Sequence, residues 1–164
     1  MTSINQPNTQ TSGKGKSAVQ AIPKGYHTVT PFLVVDNAKK VLEFLKKAFD
    51  AQELTLMPGE TPDKVGHAEV KIGNSIIMMG DAMADQKAVP TMLYLYVEDA
   101  DAMFKRAKAA GGTVIKEMAD QFYGDRCGCL KDAAGNLWWV ATHVEDVAPD
   151  ELQRRHNALA QKKH

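Results

Sequence analysis

His67 and Glu69 are separated by a single residue, and so are Cys127 and Cys129. Along an extended chain, side chains at i and i+2 share a face. An imidazole beside a carboxylate is an acid/base pair or an anchor for a polar ligand. The alternative is a solvated strand face in which Lys71 pairs with Glu69. Two thiols are candidates for a soft metal ion with His67 nearby, since Cys129 lies 62 residues after His67, though two thiolates alone leave its coordination incomplete; the alternative is a pair of small, buried, inert residues. Tyr94, Tyr96 and Trp139 are suited to stacking on a planar ligand or to filling space. Asp125 and His143 fall at strand ends, where a pocket rim would lie. Other chemistries find no support. Gly111-Gly112 ends a helix instead of opening one around a phosphate, and there is no GxSxG elbow and no HExxH.

The elements that must position these residues form a repeat. Val35-Asp36-Asn37-Ala38 resembles Val97-Glu98-Asp99-Ala100, an offset of 97 − 35 = 62, and Gly73-Asn74 recurs as Gly135-Asn136, where 135 − 73 is again 62. The units cover about residues 28–81 and 90–143. Each opens with a β-prone run, Phe32–Val35 or Leu93–Val97, followed by an acidic helix start. Ala38, Val41, Leu42 and Leu45 then mark one helical face, and Ala100, Met103, Phe104 and Ala107 repeat the spacing. A short strand and a hairpin with Gly-Asn at its turn complete each unit. The prediction is an α+β fold: tandem βαβββ units forming a curved, cup-shaped mixed sheet with helices on the convex side. Alternation puts Ala68, Val70 and Ile72 under the helices. It assigns Thr30, Phe32, His67, Glu69, Lys71, Ser75, Ile77, Met79, Met92, Tyr94, Tyr96, Asp125, Cys127, Cys129, Leu137, Trp139, Ala141 and His143 to the concave side. A lining of aromatic and apolar groups with a few polar ones suits a small molecule. Trp138 and Arg126 fall on the helix side, Trp138 as core and Arg126 in a structural ion pair.

The 164 residues fit one domain, placed at 23–147, with a flexible tail over 1–22 and a C-terminal helix within 148–164. Twenty Lys plus Arg balance twenty Asp plus Glu, a formal net charge of zero that speaks against nucleic acid and anionic membranes as partners. No apolar run approaches a membrane span, and the tail lacks a signal-peptide stretch. Two cysteines two residues apart form no useful cross-link, so the expected compartment is the cytoplasm.

Thr30-Pro31-Phe32-Leu33-Val34-Val35-Asp36, His67 through Gly73, Tyr123-Gly124-Asp125-Arg126 and Gly135 through Asp146, with its WWVATHVED run, resemble the vicinal oxygen chelate superfamily. That group contains glyoxalase I, bleomycin-resistance proteins and extradiol dioxygenases, and the resemblance is nearest its PhnB-like branch. The pattern departs at Asp132-Ala133-Ala134, commonly Asp-Pro-Phe, and at Cys127-Gly128-Cys129, both expected at the pocket mouth. In metal-dependent members the resemblance implies four ligands, here at Thr30, Ile77, Met92 and Trp139. Threonine is a weak ligand and the others are not ligands for a divalent ion. The expectation is therefore a cup without a metal or other cofactor, binding a small organic molecule. The rival is a lyase, isomerase or dioxygenase working through nonstandard residues such as His67 and Glu69. The resemblance also implies a homodimer, which would cover open sheet edges.

Overall fold

The computed structural model describes residues 19–161. Most of the expected tail, and residues 162–164 of the expected C-terminal helical segment, lie outside the described residues. The first unit comprises β1 (Phe32–Val35), α1 (Ala38–Phe49), β2 (Gln52–Pro58), β3 (Val65–Ile72) and β4 (Ser75–Asp81). The second comprises β5 (Met92–Tyr96), α2 (Ala100–Ala109), β6 (Thr113–Asp120), β7 (Asp125–Lys131) and β8 (Leu137–His143), and α3 (Pro149–Gln161) follows. The tandem βαβββ fold is as the sequence predicts. The strands form two separate four-stranded mixed sheets, ordered β1-β4-β3-β2 and β5-β8-β7-β6, not closed on each other. In each, the first strand runs parallel to the last and the other pairs are antiparallel.

Both helices form for reasons visible locally. Asn37 and Asp99 cap them by accepting the N–H of Lys40 and Ala102. The predicted apolar faces of α1 and α2 are buried, except that Met103 is only partly so. The first helical N–H of each is taken by its own last strand: Ala38 donates to Asp81 Oδ1 at 3.2 Å and Ala100 to Thr142 Oγ1 at 2.9 Å. One core runs under both sheets. Phe49 at the end of α1 meets Trp138 of β8 with ring centroids 5.2 Å apart, and Arg106 of α2 pairs with Asp50 at 2.6 Å. Trp138 is fully buried, and Arg126 forks onto Asp101 of α2, as the strand parity predicts.

Strand register corrects one assignment. The two-residue Gly73-Asn74 turn sets Ile72 opposite Ser75 and Val70 opposite Ile77. Cross-strand partners share a face, so Ser75 lies on the helix side with Ile72, Ile77 and Met79 lie with Val70 in the core, and Met78, opposite Glu69, takes the concave position expected of Ile77. Between matched positions the β7–β8 hairpin is one residue longer: Glu69 to Met78 spans 9 and Cys129 to Trp139 spans 10. Phe32 of β1 matches Tyr94 of β5 at the offset of 62, but their strand partners Met78 and Trp139 differ by 139 − 78 = 61, and the next partners, Glu69 and Cys129, by 129 − 69 = 60. The Gly-Asn coincidence is local. Cys129 therefore corresponds to Glu69 and Cys127 to His67.

The longer connection is also not a pocket mouth. Asp132, 5% exposed, turns inward and accepts the backbone N–H groups of Ala134 and Asn136 on Oδ1 and the Asn136 amide and the Trp138 indole on Oδ2. Asn136 in turn accepts the N–H of Thr91 at 3.0 Å, fixing the entry to β5. The departure at Asp132-Ala133-Ala134 is structural.

Candidate functional site

The second sheet gathers most of the chemistry. Alternation along β5 sends Leu93 and Leu95 to the core and Met92, Tyr94 and Tyr96 to the concave face. Register then lines up Tyr94, Trp139 and Cys129 across three strands, with Tyr96, Ala141 and Cys127 in the next row. The Tyr94 and Trp139 rings lie nearly parallel, 13° apart with centroids at 6.0 Å, and Tyr96 meets Tyr94 at 5.1 Å. Tyr94 is 42% and Tyr96 64% exposed, so the tray is open to a ligand.

A buried carboxylate closes one end. Asp125 is only 3% exposed. It accepts the phenols of Tyr96 at 2.8 Å and Tyr94 at 3.1 Å on Oδ2, and His143 Nδ1–H at 2.8 Å on Oδ1. Burial pushes its carboxyl up, but the hydrogen bonds from His143, Tyr96 and Tyr94 outweigh that and hold it below the ordinary carboxylate value. His143 is raised by Asp125 first and by Asp146, 3.0 Å from Nε2, second. The junction depends on Gly124. Its φ is +97°, its carbonyl accepts the N–H groups of Val144 and Glu145, and a Cβ there would strike the Glu145 carbonyl. Tyr123 Oη lies 3.6 Å from Cys127 Sγ. Burial, then Cys127 and Tyr123, pushes the Tyr94 phenol far up. Burial, then Cys127, raises the Cys129 thiol, leaving it protonated and a poor nucleophile or metal ligand.

The first sheet carries a separate cluster. Glu69 accepts the Tyr26 phenol at 2.6 Å and the Thr55 hydroxyl at 3.3 Å on Oε2, while His67 Nε2 lies 3.1 Å from Oε1. Tyr26 and then His67 hold its carboxyl low. Lys71 is not among its partners. Phe32 faces His67 at 5.8 Å. The Thr30 hydroxyl donates to the His27 carbonyl. A cleft of about 620 Å³ separates the start of β1 and the β3–β4 turn from β5, and Ile77 reaches it from the core side.

The structure thus brings Tyr94, Tyr96, Asp125, Cys127, Cys129, Trp139 and His143 together, with Met92 beside them, and sets Thr30, Phe32, His67 and Glu69 on the other sheet. Sequence reasoning did not pick out Tyr26, Thr55, Met78 or Tyr123. Only Tyr123 carried a signal, as the residue before Gly124-Asp125. At the positions where metal-dependent relatives hold their ion, the face offers Thr30, Met78, Met92 and Trp139, one hydroxyl, two thioethers and an indole. That donor set does not fit a divalent cation.

A model of the family described as Glyoxalase/Bleomycin resistance protein/Dioxygenase superfamily matches residues 26–140. The chain belongs to that superfamily. An uncharacterised protein of Mycobacterium bovis is 39% identical over 137 residues, covering 76% of this chain and 89% of that one. Among solved structures, TioX from Micromonospora sp. ML1 superposes with a TM-score of 0.61 at 21% identity, over 70% of this chain and 97% of its own. The PhnB protein of Bacillus cereus superposes at 0.53 and 18% identity, over 71% and 99%. These likenesses to solved structures speak for the glyoxalase fold.

Proposed function

We propose that this superfamily member binds a small, planar organic molecule on the concave face of its second sheet, with no divalent cation at the superfamily's ligand positions. The carrying observation is the near-parallel Tyr94–Trp139 pair, Tyr94 exposed and Trp139 partly buried, beside the buried Asp125 carboxylate. Flat aromatic rings offer stacking area, and Asp125 fixes the phenols that border it. The role is sequestration of the kind bleomycin-resistance members suggest, in a cytoplasmic, PhnB-like homodimer. A panel of conjugated compounds should quench tryptophan fluorescence, and Trp139→Ala should weaken binding by about 1–3 kcal/mol. Binding that survives Trp139→Ala unchanged overturns the tray. Elemental analysis of protein purified without chelator should find no stoichiometric zinc, nickel, manganese or iron.

A second reading has its own observation. The buried Asp125 holds His143 Nδ1 at 2.8 Å, which leaves Nε2 facing outward towards the exposed Asp146. A carboxylate-oriented imidazole of that kind moves protons. In this reading the chain is an isomerase or lyase with His143 as acid/base. Turnover of a bound compound that is lost in His143→Gln while binding persists would favour it.

A further inference from the structure

Residues Pro23–Thr30 precede β1 and join neither sheet, yet they cross the concave face of the first. A turn closed by Tyr26 N–H on the Pro23 carbonyl carries the Tyr26 phenol onto Glu69. His27 Nε2 donates to the Asn74 carbonyl at 3.2 Å. Gly25, at φ +90°, lies over Ile76, which a Cβ at that position would meet at 3.7 Å and which is 5% exposed although it shares the concave side with Met78. On its other flank the same segment supplies His27 and Val29, with Pro31 just after it, as one wall of the 620 Å³ cleft, opposite β5. Two side-chain hydrogen bonds thus pin a strap that both covers Glu69 and sets the width of the cleft.

We propose that Pro23–Thr30 is a latched strap, and that the Glu69 carboxylate beneath it is a binding point for an aromatic hydroxyl, for which the Tyr26 phenol stands in. The inference rests on the concave side being the ligand-binding face, as proposed above. Three features support it. A ligand phenol can replace the Tyr26 phenol bond for bond, so no buried acceptor is left unpaired during the exchange. Phe32 and Met78, which neighbour Glu69 across the sheet, supply apolar contact for the ring that carries the hydroxyl. The strap is also peculiar to the first repeat. The equivalent linker before β5 runs along the edge of β1, where Val89 N–H donates to the Val34 carbonyl, and Ala88 occupies the position 62 residues after Tyr26.

The test compares 2-naphthol with 2-methoxynaphthalene by calorimetry on the full chain and on Tyr26→Phe, which keeps the ring and removes the latch hydroxyl. Freeing Glu69 should raise 2-naphthol affinity by about tenfold, the size of one hydrogen bond to a charged group. The methoxy compound should not change, and Tyr26→Phe/Glu69→Gln should lose the gain. As a ligand-independent readout, carbethoxylation of His67, followed by mass spectrometry, should accelerate in Tyr26→Phe. An unchanged 2-naphthol affinity in a folded Tyr26→Phe protein, or an equal gain for the methoxy compound, overturns the latch. If the latch fails in that way, Trp139 quenching by either compound would still show the tray binding, so the two readings fall separately.

Discussion

The two repeats keep the same skeleton and differ on the face turned away from it. Asp81 and Thr142 occupy matching positions and do the same job, each accepting the first N–H of its helix. Val70 with Met79, and Leu130 with Val140, fill matching core sites. The concave faces share no such pattern. In the first sheet a mid-strand carboxylate, Glu69, is covered by a segment from outside the sheet. In the second the matching residue is Cys129, and the carboxylate has moved to the strand start at Asp125, where tyrosines of the same sheet hold it. Helix capping and the core are demanded of every copy of the fold. The concave residues are not, and that freedom is where a binding function can develop.

The sharpest way to break this division is to put a charge on each side of one strand. Val70 is fully buried and Glu69, its neighbour, faces the concave side. Val70→Asp places a carboxylate in the core without a partner and should cost more than about 4 kcal/mol, enough to unfold many domains. Glu69→Gln keeps the shape and weakens the Tyr26 and His67 hydrogen bonds, for a loss of about 1–2 kcal/mol. Urea denaturation of both variants reads the difference. Equal losses would mean that the two faces of β3 are not distinct.

Removing the matched caps sharpens the comparison at smaller scale. Asp81→Ala frees two buried N–H groups, those of Ala38 and Val65. Thr142→Ala frees the N–H of Ala100 and the Val97 carbonyl, both nearer to solvent. Losses of about 2–3 and about 1 kcal/mol should follow, with the first repeat more sensitive. Thermal unfolding with the order reversed would show that burial does not set the cost.

Most of the skeleton is legible in the sequence because periodicity reports burial. The spacing of Val41, Leu42 and Leu45, and the alternation of Ala68, Val70 and Ile72, encode one buried face each. Ile77 was misplaced because β4 reads Ile-Ile-Met-Met, apolar on both faces, so that only the length of the Gly73-Asn74 turn decides its parity. The residues of the proposed site are legible in the second sheet, where Tyr94, Tyr96, Trp139 and His143 alternate with core residues. It was not legible around Tyr26, whose bond to Glu69 spans 43 residues and arises from a segment with no periodicity.

The smallest expected effect separates the two clusters by pH. Glu69 and Asp125 are both held below the ordinary carboxylate value. Each therefore contributes stability that is present above its unfolded pKa, about 4, and is lost as pH falls through the lower folded value. His143 acts in the opposite sense. Its folded pKa is raised, so its contribution is complete below the unfolded value of about 6.5 and is lost as pH rises through the elevated one. The alkaline limb is expected of the second cluster, where His143 lies between Asp125 and Asp146. Stability measured between pH 5 and 9 should decline gently in the wild type and flatten in His143→Gln. The exposure of His143 in solvent keeps the change small. His67→Gln should leave the alkaline decline in place. If His67→Gln flattened the curve instead, the imidazole that couples to its carboxylate near neutral pH would belong to the first sheet, and the choice of the second sheet as the site would have to be reversed.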